Sequence, residues 1–215
     1  MLAFLRPAGP PRTFRANHNP IFYENGRSSL EFREKDAEYT LRNVHPPMDK
    51  EGSIMIPPHH YHINQAEHFL IVSGTINLFK GLDPKPWKVL STTEGAEKKA
   101  TIPQKVYHRL ENASSTEPLT VDVHLSPVEY ENEQRFFRNF FGYLDDCKAA
   151  KQAPSLFQLM VFLYSADTPL ALPISDGWLG IVASRIFLIL MAGWGRWVLG
   201  YKNTYPEYYA RKKHS

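Results

Sequence analysis

The stretch HHYHINQAEHFLIVSG, residues 59–74, holds four histidines and a glutamate before the chain turns apolar. On an extended segment side chains alternate faces, so His60 and His62 point one way while His59 and Tyr61 point the other. The loop at 63–66 lets the chain reverse, and Glu67 then begins the next strand on the same interior face. Phe69 and Ile71 follow it inward by parity, and Gly74 ends the run in a turn. Further on, IPQKVYHRLEN offers His108, which shares its face with Val106 and Leu110 while Tyr107 and Arg109 point away. Three neutral imidazoles and one carboxylate form a mixed N/O donor set, suited to iron, manganese, nickel, copper or zinc rather than calcium. Four protein donors leave one or two coordination positions open to a substrate oxygen, water or dioxygen. Phe69, Ile71, Val106 and Leu110 are expected to wall the site, which favours a largely apolar substrate with one polar handle. His59 and His68 fall on the opposite parity and are read as surface or hydrogen-bonded residues. Asn112 is read as a turn residue. Asp122 and His124 are placed outside the site, because Val121 and Val123 are the better core residues of their strand. No separate catalytic acid or base follows from these patterns.

The elements that would carry these residues are mostly strands. From about 29 to 125 short alternating or β-branched runs recur between turn residues. They include 30–33, 39–44, 53–56, 68–72, 75–79, 87–90, 99–102, 107–111 and 120–124, a pattern that suits a small β-barrel or jelly roll. Residues 1–28, with prolines at 7, 10, 11 and 20, read as an extended arm that wraps the domain or pairs with a neighbouring copy. At Ser126-Pro127-Val128-Glu129 the texture changes to a helix-start signature, with Ser126 as N-cap, and a helix is expected over about 128–148. Its apolar stripe, Phe136, Phe137, Phe140, Phe141 and Leu144, must lie on the barrel or on another subunit.

The spacing of these donors resembles that of the cupin superfamily, whose first motif has the core HxH(x)3-4E(x)6G and whose second reads PxG(x)2H(x)3N. Here the first runs His60-Tyr61-His62, four residues, Glu67, six residues, Gly74. The second runs Pro103 to His108, three residues, then Asn112. Lys105 stands where the family favours glycine, Glu97 replaces the opening glycine of the second motif, and Gly52 lies two residues early for that of the first. The departures touch turns rather than donors. The resemblance implies a mainly β, double-stranded β-helix (jelly-roll) barrel at 29–125 with His60, His62, Glu67 and His108 as ligands to one divalent metal. A C-terminal helical extension, 126–215, makes the chain similar to single-domain fungal cupins associated with small-molecule oxidation and secondary metabolism. The expected activity is an oxidoreductase of the dioxygenase type, with Fe(II) favoured over Mn, Ni, Cu or Zn, acting on a small lipophilic oxygenated compound. The alternatives are an isomerase, cyclase or decarboxylase using the metal as a Lewis acid, and a non-catalytic ligand-binding cupin attached to a membrane or partner.

Charge and composition narrow the partners. The net charge of +3 comes from 25 basic and 22 acidic residues, a small excess rather than a basic stripe, so nucleic acid is not an expected partner. The single cysteine, Cys147, leaves no internal disulfide and reads as a packing residue. The opening MLAFLRPAGPPRTF is too short in apolar residues for an export signal, so an intracellular setting is expected and the sequon at Asn112 reads as an accident. Residues 177–200 form an apolar helical candidate near bilayer length, with Arg185 inside it. Trp178, Trp194 and Trp197, with Arg196, Lys202 and the tail Arg211, Lys212 and Lys213, resemble a helix at a membrane surface. Packing on the barrel or in a homodimer and a true span are the other placements.

Overall fold

The structure, a computed structural model, describes residues 2–210. Among the described residues, nine strands form two antiparallel sheets. The larger is ordered β1 (Ile21–Tyr23), β2 (Ser28–Phe32), β3 (Leu41–His45), β9 (Leu119–Ser126), β4 (Ala66–Ser73), β7 (Lys99–Ile102). The smaller is ordered β6 (Lys88–Ser91), β5 (Thr75–Lys80), β8 (His108–Asn112). The alternation seen in the sequence explains the core. Along β4, β8 and β9 the inward positions Phe69, Ile71, Leu110, Val121 and Val123 are all buried. Gly74 turns β4 into β5 at φ +86°, and a Cβ there would stand 2.7 Å from the Pro118 carbonyl oxygen. Position and space both demand glycine.

Three helices follow: α1 (Tyr130–Ala149), α2 (Leu156–Ser165) and α3 (Trp178–Gly193), the last running on into a wide π turn at Trp194–Val198. α1 starts later than the capping signature predicts. Ser126 is still paired with Ala66 at the end of β9, so it cannot cap. Glu129 takes the N-cap place, and its N–H donates to Glu133 Oε1 at 2.8 Å. The strand expected over 53–56 is a turn, because the Ile54 N–H and the Ser53 hydroxyl donate to the Glu24 carboxylate instead of to a ladder. The aromatic stripe of α1 closes one end of the barrel, with Phe136, Phe140 and Phe141 buried.

The N-terminal arm wraps its own domain. Arg15 pairs with Asp145 and Asp146 of α1, and its backbone N–H donates to the Glu207 carbonyl at 2.7 Å. Within the arm, Ile21–Tyr23 are a strand of the large sheet, because their pairing with Ser28–Leu30 satisfies backbone groups that an unpaired arm would leave open. Asn112 ties the end of β8 to two loops. Its amide donates to the carbonyls of Pro46 (3.0 Å) and Glu117 (2.8 Å) and accepts from the Ser114 N–H (2.9 Å). At 2% exposure it is closed to glycosylation.

Candidate metal centre

The segment carrying His60 and His62 is not a full strand but a narrow bridge between two neighbours. His60 exchanges backbone hydrogen bonds with His108, at 3.0 and 2.9 Å. On its other side run residues 167–171, from the connection between α2 and α3. The Tyr61 N–H donates to the Pro169 carbonyl, Ile63 to that of Asp167, and the Ala171 N–H to that of His59. Parity still operates. His60 and His62 face inward, while Tyr61 faces outward, stacks on Tyr107 at 5.4 Å and donates to the Ile181 carbonyl of α3. The alternation that aims the histidines inward therefore also docks α3 on the back of the site.

Inside, one donor atom from each of His60, His62, Glu67 and His108 lies within 4.8 Å of every other. The ring orientations follow from the hydrogen-bond network. His60 Nδ1 lies 2.9 Å from the Pro58 carbonyl and His108 Nδ1 2.8 Å from that of Val106. Carbonyls only accept, so both Nδ1 atoms carry the proton. His62 Nδ1 is 3.2 Å from Thr168 Oγ1, whose own proton goes to the Ala166 carbonyl, so this Nδ1 also donates. All three Nε2 lone pairs are left to converge on Glu67. Its Oε2 lies 2.8 Å from His108 Nε2 and 3.4 Å from His62 Nε2, and the latter is buried with no hydrogen-bond partner. Burial, reinforced by the neighbouring imidazoles His108 and His62, pushes the His60 pKa well down and keeps that ring neutral. Burial alone would raise the Glu67 carboxyl, and it stays ionised only with hydrogen bonds or positive charge arriving from the side of His108 and His62, which a cation among the donors supplies when their Nε2 atoms are bare. Lone pairs from three nitrogens and one carboxylate oxygen packed this closely repel one another unless a cation lies among them. The donor set fits a divalent metal.

A cavity of about 70 Å³ adjoins the cluster. Its apolar wall comes from Phe137, Phe140 and Phe141 of α1, Leu163 of α2, Leu170 and Leu110. Of the four wall residues expected from sequence, only Leu110 takes part. Phe69 and Ile71 lie two and four residues past Glu67 on β4, roughly 7 and 13 Å along the strand, and fill the barrel core. Val106 faces a surface groove with Lys80 and Trp87 instead. Sequence periodicity also passed over Thr168, which sits in a short turn with no pattern of its own. His59 and His68 are outside the cluster, and His68 Nδ1 lies 2.9 Å from Thr101 Oγ1 on the outer face.

An antiparallel two-sheet barrel that brings both motif segments and their four donors to one point has the architecture of the cupin fold. Within it the chain belongs to the family of the probable oxidoreductase virH of Hypocrea virens, to which it is 32% identical over 93% of this chain and 90% of the relative. The probable oxidoreductase yanE of Aspergillus niger is 27% identical over 92% and 79% of the two chains. No family model matches the chain. Among solved structures, KdgF from Halomonas sp. superposes on 54% of this chain and 95% of its own, with 13% identity and a TM-score of 0.37. The oxalate decarboxylase formate complex of Lactobacillus farciminis covers 51% and 31%, with 17% identity and a TM-score of 0.36.

Proposed function

We propose that the protein is a metal-dependent oxidoreductase of the dioxygenase type, using Fe(II) at His60, His62, Glu67 and His108 on a small lipophilic oxygenated compound. The observation that carries this reading is the convergence of three bare Nε2 atoms and one carboxylate oxygen, with every Nδ1 already engaged. The relatives virH and yanE, both named probable oxidoreductases, support the redox assignment. Bound there, a redox-active metal supplies a meeting point for dioxygen and an electron-rich substrate. The chain's own part is to hold the three rings in fixed tautomers, to balance charge with Glu67, and to exclude water with the phenylalanines of α1. Elemental mass spectrometry of freshly purified, tag-free protein, beside the His60→Ala/His108→Ala variant, is the test, followed by oxygen uptake. Near-stoichiometric iron lost in the variant, with oxygen consumption that needs iron, is expected. Full turnover with zinc would transfer the protein to the isomerase, cyclase or decarboxylase reading. Wild type that takes up no metal would leave a ligand-binding cupin.

We further propose that the outer face of α3 rests on a lipid surface. Residues 178–198 are long and apolar enough to cross a membrane, yet one stripe, Gly180, Ser184, Leu188 and Ala192, is buried against the rest of the protein. A methyl at Gly180 would stand 1.6 Å from the Ser175 carbonyl oxygen and 2.8 Å from the Tyr107 hydroxyl. The Tyr107 contact ties this stripe to the barrel and argues for a helix lying flat. Its opposite face exposes Trp178, Ile186, Leu190 and Trp197 beside the exposed Arg185 and Arg196, a combination suited to anionic headgroups. The tail Arg211, Lys212 and Lys213 lies outside the described residues. Co-sedimentation with phosphatidylcholine vesicles that contain phosphatidylserine is expected and should weaken in Trp178→Ser/Trp197→Ser. Protein left in the supernatant as a concentration-dependent dimer would assign this face to a second copy.

A further inference from the structure

β3 breaks the inward pattern of its own barrel. Leu41, Asn43 and His45 share one face of the strand, and Leu41 is buried in the core, but the next two inward positions carry an amide and an imidazole. Both line the cavity that also touches His60, His62 and Glu67. His45 is 2% exposed, and neither of its ring nitrogens has a hydrogen-bond partner. The buried Oδ1 of Asn43 has none either. Folded proteins rarely leave such groups unpaired, because each carries a desolvation penalty with nothing to offset it. Two of them on one cavity wall call for a ligand.

The chemistry of that ligand can be read from the groups it must satisfy. Burial lowers the His45 pKa to about 4, so the ring is neutral and offers one N–H donor and one bare nitrogen. Asn43 Oδ1 accepts only. Among the described residues, those lining the cavity include no lysine or arginine, so away from the metal cluster nothing there would hold a carboxylate or phosphate. A hydroxyl, which takes a hydrogen bond from the His45 N–H and gives one to Asn43 Oδ1, is the complement of that pair. The surrounding Phe137, Phe140, Phe141 and Met55 suit a flat apolar body.

We infer that Asn43 and His45 form a second substrate-binding point, taking an uncharged phenolic or enolic hydroxyl while another oxygen of the same molecule turns toward the His60, His62, Glu67 and His108 cluster. The inference rests on the metal-dependent reading above. At about 70 Å³ the cavity takes at most one ring, and taking it requires the surrounding side chains to give.

The probes are phenol, resorcinol and hydroquinone, titrated calorimetrically into iron-loaded protein under nitrogen. Neither dihydroxybenzene can place both oxygens on one metal, so any gain over phenol reports a second binding point. For the wild type, one of them should bind about tenfold more tightly than phenol, the worth of one well-made hydrogen bond. Asn43→Leu and His45→Phe should erase that gain and leave metal content and urea-unfolding midpoint unchanged or higher. No gain in the wild type, no binding of any phenol by metal-loaded protein, or a gain that survives both substitutions would overturn the inference. So would loss of metal or of folding in both variants, which would make the pair structural. Failure of the wild type to load iron at all would instead sink the metal-dependent reading, and metal content reports that separately.

Discussion

His62 depends on a hydroxyl 106 residues further along the chain, because Thr168 Oγ1 accepts a hydrogen bond from its Nδ1–H and leaves Nε2 bare toward Glu67. Thr168→Val keeps the shape and removes the acceptor. The metal dissociation constant, measured by competition with a chromophoric chelator, should rise about 10- to 100-fold while the fold survives. An unchanged constant would show that the ring needs no such partner. The four donors themselves were legible in the sequence, since parity alone aims His60, His62, Glu67 and His108 inward. Thr168 was not, because SADTP carries no periodicity and its role exists only where that turn lies against His62. The same distinction applies to the cavity wall. Strand parity tells which face Phe69 and Ile71 take, but not that the cluster lies at the barrel end, out of their reach.

At the level of elements, Glu24 joins the turn after β1 to the 53–54 turn and to α1. Glu24 and Asn25 hold φ values of 54° and 58°, in the left-handed region that disfavours residues with a Cβ. The carboxylate compensates by accepting from Lys148 Nζ, Ser53 Oγ and Ser28 Oγ, each at 2.7 Å, and from the Ile54 N–H at 3.1 Å. Burial by itself would raise its pKa, yet these hydrogen bonds outweigh burial and hold it below the ordinary 4.5. A lowered folded-state value means that the unfolded chain binds the proton first. The stabilisation is therefore complete above about 4.5 and is lost as pH falls through the folded-state value. Glu24→Gln should cost about 2–3 kcal/mol at pH 7, discounted for the partly open Lys148, and should flatten the acid side of the stability curve. Urea unfolding at neutral and mildly acid pH checks both statements, and parallel losses for variant and wild type would reject the second. This junction was illegible in sequence, where 53–56 reads as a strand, because a β-branched run looks the same whether a ladder or a remote carboxylate takes its N–H groups.

Across the whole molecule, the extension completes the barrel. Backbone groups of His59, Tyr61 and Ile63 are satisfied by residues 167–171, the phenylalanines of the cavity wall come from α1, and Tyr107 bonds Ser184 of α3 at 2.9 Å. A chain cut to 29–125 keeps all four donors and loses the surfaces that position them. It should bind iron at least tenfold more weakly than the full chain, or fail to stay soluble. Stoichiometric metal on a soluble 29–125 fragment, seen by elemental analysis after gel filtration, would show that the barrel alone makes the site. Division at 125 follows a real change of texture in the sequence, from alternating strands to helical stripes, but that boundary does not separate one function from another.

By itself the sequence determined the β class, the inward parity of the four donors, the turn at Gly74 and the aromatic stripe of α1, because periodicity and short-range backbone geometry act within a few residues. The tertiary structure decided the tautomer of His62, the residues that line the cavity, the placing of α3 flat against Tyr61 and Tyr107, and the isolation of Asn43 and His45. Each of these depends on which distant groups arrive to satisfy a buried polar atom, or fail to arrive, and no local pattern records that.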